Sequence, residues 1–409
     1  MVNEKMKVLI VGGGAVSSAF AKKLYQYDYV EKIFSTSQNP YSEYIDIRDD
    51  DLTGLLMFAL ENKIDLTVPI SEKSLGADIV SFFQSNGQNI FGPSKNSCAF
   101  ILNKILCKKF LYKIHASTPK FAMYNKVSAI ADYLKNSNYP VLIRTAQNFV
   151  LDDEKMVCPT LKSALDFVDK LFLKGETDVL IEDYVFGHNF TAYFVTDGYS
   201  AVPLNIVGSC KFLEDNGGLY TDGAGCYCPD YKVGSVVLSR VENIVSNILK
   251  NLDLGGHSYT GIIGIECVLK DEDNFVVTDV KPFLQNHDAR AVLNLCEDNL
   301  IKIFTSCVNG FFSDEYEQIK TNNYSSVSLS LYSELENSEI PLQSDIDDID
   351  FINIKNNNEK YFSNIGMNFT LTKTSSTLSR AKKYLCEELD GIKFNGMKFS
   401  KDICAKIEQ

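Results

Sequence analysis

Positive charge is in short supply in this chain: 40 Lys and Arg face 53 Asp and Glu, for a net charge of −13 at neutral pH. That balance argues against a nucleic-acid surface, because phosphate backbones are held by clustered Lys and Arg. Any anionic substrate must be met by local cations rather than by the overall field. Long apolar runs are missing too. No stretch approaches the roughly 20 residues that a membrane-spanning helix needs, and the opening residues pass straight into a strand pattern with no cleavage-type segment. The protein is expected to be cytoplasmic, with no membrane partner. The eleven cysteines include no CxxC pair, Cys226 and Cys228 being the closest, so reduced thiols are expected rather than a disulfide framework. The four histidines, His115, His188, His257 and His287, lie too far apart to suggest a zinc site.

What is present fits a compact chain of several domains. A length of 409 residues allows two or three of them, since single cores seldom grow beyond about 250 residues, and 45% hydrophobic with 23% charged residues is an ordinary globular balance. The N-terminal part alternates strand and helix patterns: strands at 8–11, 32–34, 64–68 and 89–91, with helical spacing at 15–25, 55–60 and 76–83. A parallel sheet with crossover helices is the simplest assembly, and Gly92-Pro93-Ser94 punctuates its end. A helical stretch then runs over 95–114, and Thr118-Pro119 breaks into a different module.

In that module, strands at 141–144, 179–181, 191–195 and 201–204 surround a helix at 161–172, an α+β pattern. An amphipathic helix over 240–252, ended by Gly255-Gly256, precedes strands at 261–269 and 275–280 joined by the turn 270–274. The polar stretch 313–323 reads as a linker. Strands at 327–331 and 367–371, an Asp- and Asn-rich loop over 343–358 and a helix at 378–389 follow. The expected fold is α/β and α+β multidomain: an N-terminal parallel βαβ domain over 1–95, a central domain over 96–315 and a small C-terminal β-rich domain over 324–409.

Several constellations could carry chemistry. Gly12, Gly13 and Gly14 sit between a strand and a helix, where small residues let a phosphate approach the backbone N–H groups of the helix start. The same turn can be a tight βα connection without a ligand, and Val16 and Ser17 stand where a dinucleotide fingerprint would carry its later glycine. Glu266 and Asp279 are symmetric about the 270–274 turn, so a regular hairpin sets them opposite each other on one face. Two facing carboxylates need a cation, and oxygen ligands on adjacent strands suit Mg²⁺ carried by a nucleotide. The alternative, both acids in solvent, is opposed by their apolar neighbours Ile265, Cys267, Val277 and Val280. Glu182-Asp183-Tyr184-Val185 can offer backbone groups to an adenine edge while a carboxylate holds an amino group or hydroxyl; alone, such a segment is more often a solvated strand end. Of Lys104, Lys108 and Lys109 on one helical stretch, only one needs to turn inward to meet a phosphate.

Taken in order, these pieces resemble the glycinamide ribonucleotide synthetase family, the phosphoribosylamine-glycine ligases of the ATP-grasp superfamily. The matching segments span nearly the whole chain: Lys7-Val8-Leu9-Ile10-Val11-Gly12, Ile64-Asp65-Leu66-Thr67-Val68, Ile90-Phe91-Gly92-Pro93-Ser94-Lys95, Asn103-Lys104, Lys108-Lys109-Phe110-Leu111, Pro140-Val141-Leu142-Ile143-Arg144, Ile181-Glu182-Asp183-Tyr184, Tyr259-Thr260-Gly261, Ile392-Lys393-Phe394-Asn395-Gly396 and Asp402-Ile403. The resemblance implies pre-ATP-grasp, ATP-grasp and C-terminal domains, and a reaction of purine synthesis. ATP phosphorylates the carboxylate of glycine, the amine of phosphoribosylamine attacks the acyl phosphate, and glycinamide ribonucleotide, ADP and phosphate leave. Such chemistry rests on charge neutralisation and positioning. It implies ATP with Mg²⁺, or Mn²⁺ as the alternative, and glycine and phosphoribosylamine as small-molecule partners. Carried over by position, Lys104 and Arg144 stand where two ATP-phosphate lysines are, Glu182, Asp183, Tyr184 and Val185 at the adenine hinge, and Asp279 where the family has a metal-binding glutamate. Lys211 with Thr221, Asp222 and Gly223 follows the order of the glycine-substrate region, and Gly12, Gly13 and Gly14 that of the sugar-phosphate loop. Glu266 is not a ligand position in this family, although other ATP-grasp enzymes place an acid there.

The chain departs from the family pattern in five places. Val16, Ser17 and Ser18 replace Arg-Glu-His after the first glycines. The flap after Arg144, at 145–154, carries no glycine and three acids. His188 and Asn189 replace the ribose-binding acids. Lys281 replaces the asparagine ligand of the second metal, its ammonium either standing in for one metal charge or neutralising two acids in an empty site. Phe283, Asn286 and Asp288 replace the following arginine and acids. Two other functions therefore stay open: a catalytically silent paralogue serving as a binding or assembly subunit, and an ATP-grasp ligase for another carboxylate and amine.

Overall fold

The structure, a computed structural model, describes residues 5–146, 154–213, 219–342, 347–357, 360–401 and 403. It opens with a wholly parallel sheet of β1 (Met6–Val11), β2 (Val30–Ser35), β3 (Glu43–Tyr44) and β4 (Leu66–Pro69) in the order β3-β2-β1-β4. Helices cover both faces, which is why β1 is apolar without alternation. Val8 and Ile10 pack with Val16, Phe20 and Leu24 of the helix Gly14–Tyr25, whereas Leu9 and Val11 pack with Leu55 and Ala59 of the helix Leu52–Asn62.

Three local expectations are corrected here. The strand at 89–91 reduces to one parallel bridge, Thr67 to Ile90, because Gly92 and Pro93 follow at once and proline has no N–H for a ladder. The helix over 76–83 is two, Glu72–Gly76 and Ile79–Ser85, parted at Asp78 in the left-handed region (φ 69°). The Asp78 carboxylate accepts from the Ser81 hydroxyl and the Lys95 N–H. The helical stretch 95–114 is also split, into Lys95–Cys98 and Lys104–Lys113. Asn103 starts the second piece by accepting the Leu106 N–H at 3.0 Å.

Two antiparallel sheets form the middle of the chain. The smaller joins β5 (Phe121–Tyr124), β6 (Val141–Thr145), β7 (Lys155–Cys158) and β8 (Val179–Asp183) in the order β5-β8-β6-β7. The helices Val127–Leu134 and Leu161–Leu173 back it, through Ile130, Leu134, Phe167 and Leu171. The larger begins with β9 (His188–Thr196), β10 (Ala201–Phe212), β11 (Tyr220–Cys228), β12 (Gly261–Leu269) and β13 (Phe275–Lys281), ordered β13-β12-β9-β10-β11. The helix Ser235–Leu254 lays Val237, Val241, Val245 and Ile248 against it.

The C-terminal strands are β14 (Ser325–Ser333), β15 (Glu339–Ile340), β16 (Ile349–Phe351), β17 (Ile354–Asn357), β18 (Lys360–Ser363), β19 (Gly366–Ser375) and β20 (Met397–Lys398). Here β14 pairs with β11, and β19 and β16 follow, so this region continues the large sheet. The helix Leu378–Gly391 covers it with Ala381, Leu385 and Leu389. The loop at 343–358 is corrected in part: 343–346 and 358 lie outside the described residues, but β16 and β17 take 349–351 and 354–357, the first because Ile349 and Asp350 have buried sites to fill. The stretch 313–323 is not a free linker. It starts within the helix Phe312–Glu315, and Thr321 bridges to Cys296. Among the described residues no helix is long and apolar enough to cross a membrane.

Candidate active site

The cleft between the two central sheets is built around the β12–β13 hairpin. Glu266 and Asp279 are direct partners across its ladder, and the register shifts by one residue between Glu266 and Cys267, leaving Thr278 unpaired. That bulge sets the two acids opposite each other: Cys267 pairs with Val277, so an unbulged continuation would pair Glu266 with Thr278. Both acids are buried, at 8% and 2% exposure, and burial without a cation would push both carboxyls upward.

The facing cations are lysines and an arginine. Lys104 and Lys108, one turn apart on the helix Lys104–Lys113, both point inward, and Lys109 is exposed. Lys104 Nζ lies 2.5 Å from Asp279 Oδ2, Lys281 Nζ 2.9 Å from the same oxygen, and Arg144 Nη1 3.6 Å from it. Lys281 Nζ is also 3.6 Å from Glu266 Oε2, which Lys211 Nζ approaches to 3.0 Å. Arg144 Nε donates to Glu182 Oε2 at 2.8 Å, and Lys108 Nζ sits 2.6 Å from Glu182 Oε1. Lys108, Glu182, Arg144, Asp279, Lys281, Glu266 and Lys211 thus form one continuous chain of ion pairs. Burial raises the Asp279 carboxyl, but Lys104, Lys281 and Arg144 outweigh it and hold it well below the usual range. In the same way burial opposes Lys211 and Lys281 at Glu266, which is held at about 2. Burial lowers the Lys281 ammonium, yet Asp279, Glu266 and Asp222 raise it well above its ordinary value.

Beside this network lies a narrow cleft with about 30 Å³ of free volume. Leu142, Val185 and Val268 give it apolar walls; Asp183, Tyr184, Asn189 and Tyr220 also line it. The segment from Glu182 to Val185 therefore does border the cleft, but the Glu182 carboxylate is turned to Lys108 and Arg144. His188 turns away as well, with Nε2 2.5 Å from Asp230 Oδ2, while its neighbour Asn189 faces the cleft as strand alternation requires.

The glycine-side residues adjoin the hairpin through Lys211. Its ammonium donates to the Asp222 carbonyl at 2.6 Å, the Thr221 hydroxyl donates to the Lys211 carbonyl at 3.1 Å, and Lys155 Nζ lies 2.7 Å from Asp222 Oδ1. Gly223 is covered by the His287 ring, which a Cβ there would meet at 2.2 Å. In the N-terminal loop the Gly12 N–H donates to Thr36 Oγ1, and the Val16 N–H to Asn286 Oδ1 at 3.2 Å. Gly14 has φ +77°, and a Cβ on it would fall 2.4 Å from that Asn286 oxygen. Gly13 approaches nothing closer than Ser37. Of the flap at 145–154, 147–153 lie outside the described residues, as does Asp402 of the terminal motif.

Sequence reasoning missed several members of the site. Lys155 is a buried cation on Asp222, and Lys108 is a second inward lysine beside Lys104 where only one of three was expected; the four-residue spacing of Lys104 and Lys108 was a usable signal. His287 is 4% exposed with no hydrogen-bond partner on Nε2, and burial and Lys211 lower it to about 3. Asp288 accepts from the Tyr193 hydroxyl at 2.6 Å and the Gln285 N–H at 2.8 Å, and burial pushes it up to about 7. Cys98, Cys107, Cys158, Cys226, Cys228, Cys267, Cys296 and Cys307 are free thiols.

The charges suit a triphosphate, since Arg144 lines the cleft and the buried Lys104 meets it at Asp279 from a different element. They do not fit a divalent ion seated between Glu266 and Asp279, where the cation is the Lys281 ammonium. Each carboxylate oxygen already accepts from the chain: Glu266 Oε1 from Thr278, Oε2 from Lys211, Asp279 Oδ1 from the Val280 N–H and Oδ2 from Lys104 and Lys281.

Residues 6–100 match the family model of the phosphoribosylglycinamide synthetase N domain, and residues 102–281 that of its ATP-grasp (A) domain. A phosphoribosylamine–glycine ligase of Fusobacterium nucleatum is 28% identical over 317 residues, 74% of each chain. That of Clostridium acetobutylicum is 26% identical over 416 aligned positions, 97% of this chain and 99% of its own. The phosphoribosylamine–glycine ligase structure from Thermotoga maritima shares the fold, with a TM-score of 0.77 at 18% identity over 97% of this chain and 100% of that one. A biotin carboxylase–β,γ-ATP complex from Campylobacter jejuni does so with a TM-score of 0.69 at 14% identity, covering 100% and 96%. Two consecutive domain matches, relatives of the same description and a fold that agrees over nearly the full length lead to one result: the chain belongs to the phosphoribosylglycinamide synthetase family of ATP-grasp proteins.

Proposed function

We propose that this chain is an ATP-dependent carbon–nitrogen ligase of purine synthesis that joins glycine to phosphoribosylamine. The observation that carries the reading is the convergence of Lys104, Arg144, Lys211 and Lys281 on two facing buried carboxylates at the edge of an inter-sheet cleft. Lys104 and Arg144 take the phosphates, and the backbone of Glu182, Asp183, Tyr184 and Val185 takes the adenine edge. Thr221, Asp222 and Gly223 border the carboxylate substrate, and Gly12, Gly13 and Gly14 the amine substrate. The family uses ATP with a divalent metal; in our reading this is Mg²⁺, with Mn²⁺ as the alternative, and it arrives on the triphosphate. The division of labour follows 1–95, 96–315 and 324–409.

The γ-phosphoryl group passes to a carboxylate oxygen of glycine, ADP leaves, the amine attacks the acyl carbon, and the carbon–oxygen bond to phosphate breaks. Lys104, Arg144, Lys211 and Lys281 supply preorganised positive charge for the acyl phosphate, in a site dry enough for each charge to act strongly. The test is ADP and phosphate release that requires glycine and phosphoribosylamine together. A folded protein with no ATP affinity by isothermal titration overturns the assignment. One observation favours a different amine. Asn286 fills the helix start beside Gly14, and an amine panel in the same assay decides between the two acceptors.

A further inference from the structure

We propose that Lys281 is a built-in cation, a strand-anchored ammonium that takes the place of a protein-bound divalent ion between Glu266 and Asp279, so that this site works with only the metal that the nucleotide brings. Lys281 follows Asp279 by two residues on β13, and side chains two apart on a strand share a face. The two groups meet at 2.9 Å, and the same nitrogen stands 3.6 Å from Glu266 across the ladder. The partner of Lys281 on β12 is Gly264, which puts no side chain beside it. A Cβ on Gly264 would lie 3.3 Å from Lys281 Cβ and 2.5 Å from the Tyr193 ring, so the glycine keeps open the space through which the lysine reaches the acids.

The charges are consistent with this assignment. With Lys281 in place, the two carboxylates are matched by Lys104, Lys211 and Lys281, with Arg144 close by. A divalent ion bound by both acids would have to displace an ammonium that is itself buried, at 6% exposure for Lys281 and 3% for Lys211. The displaced ammonium would be left buried without its partner, which is strongly unfavourable. A hydrated Mg²⁺ gives up its waters reluctantly and gains nothing there that the lysine does not already supply. This inference draws on the ligase reading only for the nucleotide-borne ion, and its main test uses protein without nucleotide, so the two fail separately.

Mn²⁺ titration of the nucleotide-free full chain, followed by the electron paramagnetic resonance signal of free Mn²⁺, is the measurement. We expect no specific site in the wild type and one new site in Lys281→Asn, with affinity improved by about tenfold or more as the facing acids regain a vacancy. That site should be competed by Mg²⁺ and lost in Lys281→Asn/Asp279→Asn. A wild-type site removed by Glu266→Gln or Asp279→Asn overturns the proposal, and so does a folded Lys281→Asn that gains none. If Lys281→Asn does not fold, the wild type saturated with a non-hydrolysable ATP analogue decides it. One Mn²⁺ per nucleotide supports the built-in cation, and two overturn it.

Discussion

Arg144 and Glu182 lie diagonally across the β6–β8 ladder, Arg144 pairing with Leu180 and Leu142 with Glu182, and their side chains close on each other at 2.8 Å. Lys108, fully buried, takes the other carboxylate oxygen. Glu182→Gln leaves two buried cations short of an anion, and we expect a loss of about 3 to 5 kcal/mol in urea unfolding, the range for one partner removed from a buried pair. Unchanged stability would mean that the network is not held as described.

Lys104→Met removes one buried cation from the ion-pair network beside the cleft while Asp279 keeps Lys281. ATP affinity should fall by roughly tenfold to a hundredfold, the value of one charge-assisted hydrogen bond, in isothermal titration with MgATP. An unchanged affinity would take Lys104 out of the phosphate site.

His287 and Asp288 should exchange a proton on folding. In the unfolded chain, with values near 6.5 and 3.8, the proton between about pH 4 and 6.5 sits on the imidazole. In the folded chain burial drives the imidazole down to about 3 and the carboxyl up to about 7, so it sits on the carboxyl. The pair binds one proton in either state and adds no slope of stability with pH. His287→Phe leaves Asp288 alone, the folded state holds the extra proton, and stability relative to the wild type should rise as pH falls from 7 towards 4. Asp288→Asn does the reverse, with stability falling below pH 6.5, in both cases by up to about 1.4 kcal/mol per pH unit. Denaturant unfolding across that pH range reads both slopes.

Arg290, on the helix Ala289–Leu295, pairs with the fully buried Asp350 of β16 through both carboxylate oxygens. Arg290→Met should cost about 3 to 5 kcal/mol, and Arg290→Met/Asp350→Leu should recover most of it, because the penalty is an unpaired charge rather than a lost contact. Thermal or urea unfolding of the three proteins tests this. An equal loss in the double variant would mean that the packing around the pair, and not its charge, carries the stability.

Much of the fold was legible because its signals are local. Val8 to Val11, the amphipathic 240–252 stretch and the turn at 270–274 announce themselves by period and composition, and the structure bears each out. The facing of Glu266 and Asp279 was legible from symmetry, although the bulge at Thr278 that brings it about was not. What escaped was set by tertiary contacts. Asp78 could not be read as a helix break without its partners Ser81 and Lys95, nor Asp350 as a buried strand residue without Arg290, 60 positions away. That Lys108 turns inward as well as Lys104 was not legible, because its acid, Glu182, lies on another sheet. Lys281 shows the limit most clearly: its identity was visible, but which acids its ammonium touches depends on the absence of a side chain at Gly264.

The hydrogen bonds from Gly225–Leu329 to Cys228–Ser326 that splice β14 onto β11 bear on how the protein can be divided. A fragment stopped ahead of Ser325 would leave the β11 backbone as a bare edge with its N–H and C=O groups open, a template on which a second chain can add. The tail therefore caps that edge, and a core cut at this boundary would expose it to pairing with another chain.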